Sequence, residues 1–203
     1  MREIIIGTSN PAKFEQIKGA LAPLEIKVRG IPEGAVLPEV VEDGTVEENS
    51  RKKAVTYAKA LGATVLSVDN ALYLEGLEPE KQPGINVRRI GGRKDRPTDE
   101  ELIDYYSRLV LKLGGRAGGR WEFAVCIATP AGDYEEVVIA ETSRVFVGTP
   151  SETRIQGYPL ESLQISPESG RYTAEMTAEE KALFWQRAIG TSLMDFVRRS
   201  KLI

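Results

Sequence analysis

The sequence contains no histidine. This absence excludes Ser-His-Asp and Cys-His nucleophilic machinery, histidine general bases and every metal site with a histidine ligand. Any chemistry in this protein therefore depends on carboxylates, lysine, arginine, hydroxyl groups and backbone amides. Cysteine is nearly as scarce, because Cys126 is the single one and cannot form an internal disulfide. Its apolar neighbours predict a small buried residue on a strand, in a reducing cytoplasm.

Long apolar runs and a strong excess of one charge are also missing. The 203 residues include 27 basic and 30 acidic side chains, so no global charge drives the chain onto nucleic acid or an anionic membrane. The longest uncharged runs fall far short of the roughly 20 residues that span a bilayer. The first residues lead directly into a predicted strand, without the apolar region and cleavage site of a signal peptide. We expect a soluble, cytoplasmic protein with no nucleic-acid or membrane partner.

The order of predicted elements indicates an α/β protein. A chain of 203 residues fits one domain, or one domain in two lobes, with a real hydrophobic core. Asn10 and Pro11 form a favourable start for the first helix, which follows a short apolar strand. The patterns in this part of the chain predict strands at 3–7, 24–28 and 64–68. Asp69 marks the end of the third strand, and a helix at 45–61 is closed by Gly62. This order favours a sheet that is at least partly parallel.

The second part of the chain alternates loops with helices and a hairpin. Residues 78–97 are rich in proline, glycine and arginine and predict a long loop, a class that is often functional. Thr98 and Glu101 form a capping box that begins the next helix. The remaining predictions are a flexible connector at 114–120, hairpin strands at 121–129 and 134–147, and a terminal helix at 177–199 with a capping box at its start and a bend at Gly190.

Thr8, Ser9, Asn10 and Lys13 form the first candidate cluster. They lie between the end of the first strand and the first turn of the first helix. Backbone N–H groups and the positive end of the helix dipole meet there, and Lys13 adds a formal charge, so the position suits a phosphate. The alternative is an ordinary turn with a capping asparagine and a solvated lysine.

Glu48 is the centre of the second candidate cluster. Because it follows Thr45 by three residues, it can close a capping box at the start of its helix. It can equally be a ligand for a divalent metal, with Lys52 or Lys53 about one turn further along to meet phosphate oxygens. The spacing alone leaves both interpretations open.

Asp69 is the third candidate, followed directly by Asn70. In open α/β sheets ligands bind at the carboxyl ends of strands, so an acid there suggests a site, although an Asp-Asn pair also suits a turn. Glu48 and Asp69 together could hold Mg²⁺, which prefers oxygen ligands. Zinc hydrolysis is the weaker alternative in a chain without histidine.

The order of these motifs resembles the inosine triphosphate pyrophosphatase (XTP/dITP diphosphatase) family. The resemblance is carried by SNPAKFEQIKGAL, EDGTVEENSRKKAVTYAKALGATVLSVDNAL, PGINVRRIGG and TAEMTAEEKALFWQRA. It implies an elongated mixed β-sheet flanked by helices, two lobes around a central cleft, and a homodimer. The implied reaction is the Mg²⁺-dependent hydrolysis of deaminated purine triphosphates to a monophosphate and pyrophosphate.

The resemblance also implies roles for individual residues. Thr8, Asn10 and Lys13 match the turn that binds the triphosphate, and Lys53 matches a lysine that contacts phosphate. The other matches are Glu48 as a metal ligand, Asp69 as the residue that binds metal and activates water, and Lys181 and Arg187 as contacts to the base. Asn70 stands where the family usually has a small hydroxyl residue.

Three departures from the family pattern concern the acid pair and the base. Val68 replaces the first of two acids, so a carboxylate is missing beside Asp69. Trp185 and Gln186 replace the serine and histidine before the final arginine. The Gly-Tyr-Asp-Pro segment is shortened to 157–159, which loses its aspartate and leaves Tyr158 as the ring to stack on the base. The triphosphate half of the site is therefore mostly kept, and the base half is rewritten.

These observations favour an enzyme in which Asp69 and Glu48 hold Mg²⁺ while Lys13 and Lys53 stabilise the charge on the phosphates. The competing hypothesis is a nucleotide-binding protein that lost turnover with the acid replaced by Val68. A purely structural role and a pyrophosphatase with another base preference are further alternatives. Pyrophosphate release that depends on Mg²⁺ distinguishes the enzyme from the binding protein, since both would bind nucleotide.

Overall fold

The computed structural model describes residues 2–90, 97–167 and 169–203. The strands are β1 (Arg2–Ile6), β2 (Ile26–Arg29), β3 (Val65–Leu74), β4 (Arg116–Ala128), β5 (Tyr134–Val147) and β6 (Gln164–Ile165). The α-helices are α1 (Pro11–Leu21), α2 (Val46–Leu61), α3 (Asp99–Lys112), α4 (Ala178–Trp185) and α5 (Thr191–Arg199). A π-helical segment, Gln186–Gly190, lies between α4 and α5, and short 3₁₀ turns occupy Pro79–Lys81, Pro159–Ser162 and Thr173–Glu175.

The strands form one mixed sheet in the order β2-β1-β3-β4-β5-β6. β1 pairs in parallel with β2, with Ile4 opposite Val28, and in parallel with β3, with Ile5 opposite Val65. β5 and β6 are antiparallel. The sheet is therefore partly parallel, and the predicted α/β class is confirmed.

Local signals explain the elements around the first two helices. The side chain of Asn10 caps α1 and Pro11 occupies its first position, as the sequence predicts. Thr45 caps α2, and Gly62 ends it in the left-handed conformation that glycine adopts without a steric penalty.

Cys126 is fully buried on β4, and burial raises the pKa of its thiol to about 12, so the predicted structural role is confirmed.

The chain divides into two compact units. Unit 1 contains Met1–Asn70, Glu122–Glu141 and Ala182–Ile203, and unit 2 contains Ala71–Trp121 and Thr142–Lys181. A cluster in the core of unit 1 comprises Ile5, Ala54, Ala58, Val65, Cys126 and Ala128. The core of unit 2 is built mainly from α3 and the strand residues beneath it, including Leu72, Leu102, Tyr106, Val110 and Phe146. No α-helix within the described ranges is long and apolar enough to cross a lipid bilayer.

Strand β3 is longer than its sequence pattern indicates. The predicted end of the strand at Asp69 is wrong, because β3 continues to Leu74 and includes both Asp69 and Asn70. The turn interpretation of the Asp-Asn pair is wrong for the same reason. Ala71, Leu72 and Leu74 are fully or almost fully buried, and their burial extends the strand beyond two residues that locally favour a turn.

The predicted connector at 114–120 is also wrong over most of its length. β4 begins at Arg116, so residues 116–120 of this glycine-rich segment belong to a strand. A Cβ at Gly119 would lie 2.5 Å from the ring of Phe146 and 3.1 Å from Leu74, both in unit 2. Close packing against these side chains, and not a need for flexibility, explains the glycine at this position.

The terminal helical region begins as predicted and is interrupted near Gly190. Glu180 accepts a hydrogen bond from the Thr177 N–H at 2.8 Å, and Thr177 Oγ1 accepts one from the Glu180 N–H at 3.2 Å, which confirms the capping box. Where the sequence predicts a bend at Gly190, the structure has the π-helical segment. One extra residue in a helical turn accounts for the irregularity.

Gly119→Ala tests the packing of the corrected segment. A methyl group at this position collides with Phe146, so we expect a loss of about 1–3 kcal/mol in the free energy of unfolding. Urea denaturation measures this loss. Gly19→Ala, on an exposed helical face with open space around it, is the control and should not lose stability. An unchanged free energy of unfolding for Gly119→Ala would contradict the close packing and favour the flexible connector that the sequence predicts.

Candidate active site

The turn before α1 is held by its own side chains. Thr8 Oγ1 accepts from the Asn10 N–H at 3.2 Å, and Asn10 Oδ1 accepts from the N–H groups of Ala12 at 3.0 Å and Lys13 at 3.4 Å. Pro11 has no N–H to offer. The N–H groups of Asn10, Ala12 and Lys13 are thus engaged by side chains of the turn itself.

Lys13 joins this turn to strand β3. Its Nζ donates to Asn70 Oδ1 at 3.1 Å and to the backbone oxygen of Val68 at 3.3 Å. The first and third candidate clusters are therefore brought together within unit 1. Both acceptors are uncharged and orient the ammonium group, whose charge also lowers the pKa of Asp69.

The capping box at the start of α2 is confirmed. Glu48 Oε2 accepts from the Thr45 N–H at 3.0 Å, and Thr45 Oγ1 accepts from the Glu48 N–H at 3.2 Å. The buried Asn49 makes paired hydrogen bonds with the Gly44 backbone and a side-chain hydrogen bond with Asp69. The first turn of α2 is therefore tied to Asp69, through the residue next to Glu48.

Lys53, and not Lys52, belongs to the site. Lys53 Nζ lies 2.7 Å from Glu42 Oε1 and 3.7 Å from Asp69 Oδ1, and its side chain is only 14% exposed. Lys52 pairs instead with Asp43 on the surface. Glu42 is a site neighbour that the sequence patterns miss, since it lies in irregular chain eleven residues before Lys53 and no periodicity relates the two.

Asp69 is the most deeply buried acid of this cluster, with 9% of its surface exposed. Burial raises the pKa of its carboxyl group, and Glu42 adds to this rise. Lys53, Lys13 and the hydrogen bond from Asn49 act in the opposite direction and keep the rise smaller. A buried carboxylate with a perturbed pKa among cations is typical of functional sites, where it can accept a proton or face a metal ion.

Val68 occupies the position of the missing acid, and its side chain is almost fully buried. Successive side chains on a strand point to opposite faces of the sheet. Val68 therefore shares a face with Asn70, the partner of Lys13, while Asp69 lies on the face that meets Asn49 and Lys53. Replacing an acid by valine leaves the immediate partners of Asp69 in place.

The donors around Asp69 fit a sparse magnesium site. In the described ranges, no group of three or more acidic or cysteine side chains converges as a preformed metal cage. Mg²⁺ is usually held by one or two carboxylates, waters and substrate phosphates, so a cage is not required. Asp69 is a buried carboxylate that suits such an ion, and Glu48 is next in the chain to Asn49, whose hydrogen bond acts on Asp69.

Unit 2 contains a second cluster, around Glu161. Lys181 Nζ lies 2.8 Å from Glu161 Oε2, and the acid is 4% exposed. Burial raises the pKa of Glu161, whereas the hydrogen bond and charge of Lys181 and the charge of Arg144 lower it. Burial also lowers the pKa of Arg144 to about 10. Lys181, predicted from the sequence, therefore has an acidic partner that the sequence patterns miss.

Tyr158 lies close to the same cluster. Burial raises the pKa of its hydroxyl group, and the charge of Glu161 acts in the same direction. The backbone of Tyr158 accepts a hydrogen bond from the Glu161 N–H at 3.1 Å, in the turn that follows it. The shortened segment lacks an aspartate, but it retains an acid three residues after the tyrosine. The position of Glu161, three residues after Tyr158, was the sequence signal that could have identified it.

Gln186 and Arg187 lie in the π-helical segment of unit 1, which packs against α1. Gln186 is partly buried and Arg187 is exposed. Trp185, just before them, makes an edge-to-face contact with Phe123, with ring centroids 6.5 Å apart. The tryptophan that replaces the family's serine therefore has a packing role.

Comparison with known proteins identifies the family. The family model described as Ham1 family matches residues 4–194. The chain belongs to the Ham1 family. A dITP/XTP pyrophosphatase from Deinococcus deserti is 35% identical over 89% of this chain and 81% of its own length. A dITP/XTP pyrophosphatase from Thermus thermophilus is 31% identical over 91% and 86% of the two chains.

Solved structures support the same fold. The Staphylococcus aureus Ham1 protein has a TM-score of 0.71 at 24% identity and covers 97% of this chain and 98% of its own. A HAM1 protein from Coxiella burnetii has a TM-score of 0.76 at 21% identity, over 98% and 100% of the two chains. The α/β fold and the family resemblance that the sequence motifs indicate are therefore confirmed.

Asp69→Asn tests whether the buried acid serves the fold of this Ham1-family protein. Because burial disfavours its ionised form, we expect the amide to leave the free energy of unfolding unchanged or higher at pH 7. Asp99→Asn is the contrast, since Asp99 pairs with Arg88 and accepts from the Gly157 N–H. It should lose stability. A loss above about 1 kcal/mol for Asp69→Asn, the value of one structural hydrogen bond, would contradict this interpretation.

Proposed function

We propose that this chain is a Mg²⁺-dependent nucleoside triphosphate pyrophosphatase. Its substrates are deaminated purine triphosphates, such as ITP, XTP and dITP, or otherwise modified nucleotides, and its products are a monophosphate and pyrophosphate. The observation that carries the proposal is the buried Asp69, which lies 3.7 Å from Lys53 and within the electrostatic influence of Lys13. The dITP/XTP pyrophosphatase names of the relatives support the reaction and the substrate class.

Asp69 acts as the general base in the proposed mechanism. It takes a proton from a water molecule whose oxygen forms a bond to the α-phosphorus. The bond between that phosphorus and the bridging oxygen to the β-phosphate breaks, and pyrophosphate leaves with the electron pair. The raised pKa of Asp69 makes its carboxylate a better proton acceptor than an exposed aspartate.

Lys13 and Lys53 stabilise the negative charge that develops on the phosphates. Lys13 is oriented by Asn70 and the Val68 backbone, whereas Lys53 is held by Glu42 and Asp69. Ammonium groups fixed before the reaction stabilise a developing charge without reorganising. A phosphate that reaches Lys53 must compete with Glu42, so Glu42 reduces the affinity of that contact in the resting protein.

Glu48 and Asp69 are the residues that would hold Mg²⁺. The bound ion would neutralise phosphate oxygens and favour loss of pyrophosphate. Glu48 retains Oε1 for such a role while Oε2 closes the capping box. The first turn of α2 thus presents Glu48 with its backbone fixed by Thr45.

The base contacts are proposed from the family resemblance. The residues that match the family's positions for the base are Gln186, Arg187, Lys181 and Tyr158. Arginine only donates hydrogen bonds, whereas a glutamine amide both donates and accepts. With Gln186 in place of histidine, we expect a relaxed or shifted base preference.

A nucleotide-binding protein with little turnover is the second candidate, and the buried Val68 is the observation that favours it.

The resemblance further implies a homodimer, which size-exclusion chromatography with light scattering measures. The buried thiol of Cys126 agrees with a cytoplasmic location.

A pyrophosphate-release screen tests the proposed function. The purified full chain is incubated with ITP, XTP, dITP, the common NTPs and dNTPs, and modified nucleotides, with and without Mg²⁺. Release of pyrophosphate only with Mg²⁺ supports the enzyme. Binding without release, seen as a thermal shift, supports the second candidate. Neither release nor a thermal shift with any nucleotide would contradict both.

Asp69→Asn and Glu48→Gln test the catalytic and metal roles. Asp69→Asn should lower kcat by about 10²- to 10⁴-fold, because the amide cannot accept the proton. Glu48→Gln should keep the capping box but bind Mg²⁺ poorly, so the Mg²⁺ concentration for half-maximal rate should rise without loss of stability.

Glu101→Gln is the matched control, since Glu101 closes an equivalent capping box on α3. It should leave both the rate and the Mg²⁺ response unchanged. If kcat of Asp69→Asn stays within a few-fold of the wild type, Asp69 is not the base. A normal Mg²⁺ response of Glu48→Gln would leave Glu48 with only its capping role.

Gln186→His tests the base preference. Histidine is the residue of the family pattern at this position, so the ratio of kcat/KM for ITP to that for ATP should increase when it replaces Gln186. Both ratios are measured at the same Mg²⁺ concentration. A wild-type ratio equal to or higher than that of Gln186→His would show that Gln186 does not relax the discrimination.

A further inference from the structure

Gly190 is a buried glycine within continuous helical backbone. Its φ is −62° and its ψ is −44°, so the position needs none of the special conformations that only glycine adopts. Glycine destabilises a helix interior relative to alanine. Gly190 ends the π-helical segment and precedes α5, but its right-handed helical backbone does not require glycine, which indicates a close approach by another group.

The group that approaches Gly190 is the amide of Gln186. A Cβ at position 190 would lie 2.5 Å from Gln186 Oε1, 2.7 Å from its Cδ and 3.0 Å from its Nε2. The first two distances are shorter than real contacts of a Cβ atom, and the third is tighter than most of them. The Gln186 amide thus occupies the space that any side chain larger than hydrogen would need.

The π-helical turn creates this arrangement. The Thr191 N–H donates to the Gln186 backbone oxygen, five residues back, and this bond closes the wide turn from Gln186 to Gly190. Single π-helical turns within helices are frequent at functional sites. The wide turn gives up regular helical hydrogen bonding, and it has a glycine at position 190 where alanine would favour the helix. It begins at Gln186, the residue that replaces the family's histidine.

We propose that Gly190 is a positioning residue, which fixes the orientation of the Gln186 amide toward the nucleotide base. This inference rests on the proposed function, because it needs Gln186 to contact the base. Gly190 itself touches no substrate. It acts by leaving room for the conformation that the Gln186 side chain adopts in the structure.

Gly190→Ala is the direct test. Because the displaced atoms are the end of a flexible side chain, the amide rotates away and the helix keeps its backbone. We expect KM for ITP and ATP to rise about 3- to 10-fold, the equivalent of one neutral hydrogen bond. We expect Tm to stay constant or to rise by about 1–4 °C, as for other helical glycines replaced by alanine.

Gly19→Ala and a double-mutant cycle are the controls. Gly19 is a helical glycine with open space around it, so Gly19→Ala should raise Tm without changing KM. Gln186→Ala should raise KM as Gly190→Ala does. The double variant Gln186→Ala/Gly190→Ala should show no further rise, because the contact that Gly190 protects is already gone.

Two results would overturn the inference. One is an unchanged KM in Gly190→Ala. The other is a double variant in which the rise in KM equals the product of the rises in the two single variants. Such independent effects, together with a lower Tm, would give Gly190 a packing role alone. If the wild type releases no pyrophosphate, the proposed function fails. The same cycle is then run on dissociation constants for ITP and ATP with Mg²⁺, measured by calorimetry, and absence of nucleotide binding contradicts both.

Discussion

The burial of Asp69 is the constraint on which the candidate site in unit 1 depends. An ionised carboxylate with 9% exposure is stable only among cations and hydrogen-bond donors. Lys53 and Asn49 from α2 meet it directly, and Lys13 from α1 adds its charge, so both helices must begin or pass beside β3. Two local caps, at Asn10 and Thr45, fix where these helices start. These helix starts place Lys13, Asn49 and Lys53 where they act on Asp69.

The loss of the paired acid at Val68 leaves this arrangement intact because a strand alternates its side chains. The valine lies on the face of Asn70, where Lys13 finds two neutral oxygens. On the other face, Glu42 shares Lys53 with Asp69 and raises the pKa of that acid. The cluster thus retains two carboxylates around one lysine, although only one belongs to the strand. In unit 2, Glu161 forms an ion pair with Lys181.

Features set by neighbouring residues could be predicted from the sequence, and those set by distant contacts could not. The capping boxes at Thr45, Thr98 and Thr177 and the cap at Asn10 follow from local hydrogen bonding and are confirmed. The continuation of β3 beyond Asn70 depends on burial against the core and overrides a local turn signal. Glu42 and Glu161 meet their lysines across long or irregular segments, so no helix or strand periodicity reveals either pair. The packing of Gly119 under Phe146 has the same cause.

The central claim is that a cluster with a single strand acid is a competent catalyst. A time course of ITP hydrolysis followed by ³¹P NMR, with Mg²⁺ and the full chain, tests it most directly because it resolves every phosphorus product. The account predicts that IMP and pyrophosphate form in equal amounts, so the pyrophosphate signal, from two equivalent phosphorus atoms, grows twice as fast as the IMP signal and no nucleoside diphosphate forms. Persistent ITP signals that shift with added protein but yield no product would contradict it, and would leave a protein that binds nucleotide without turning it over.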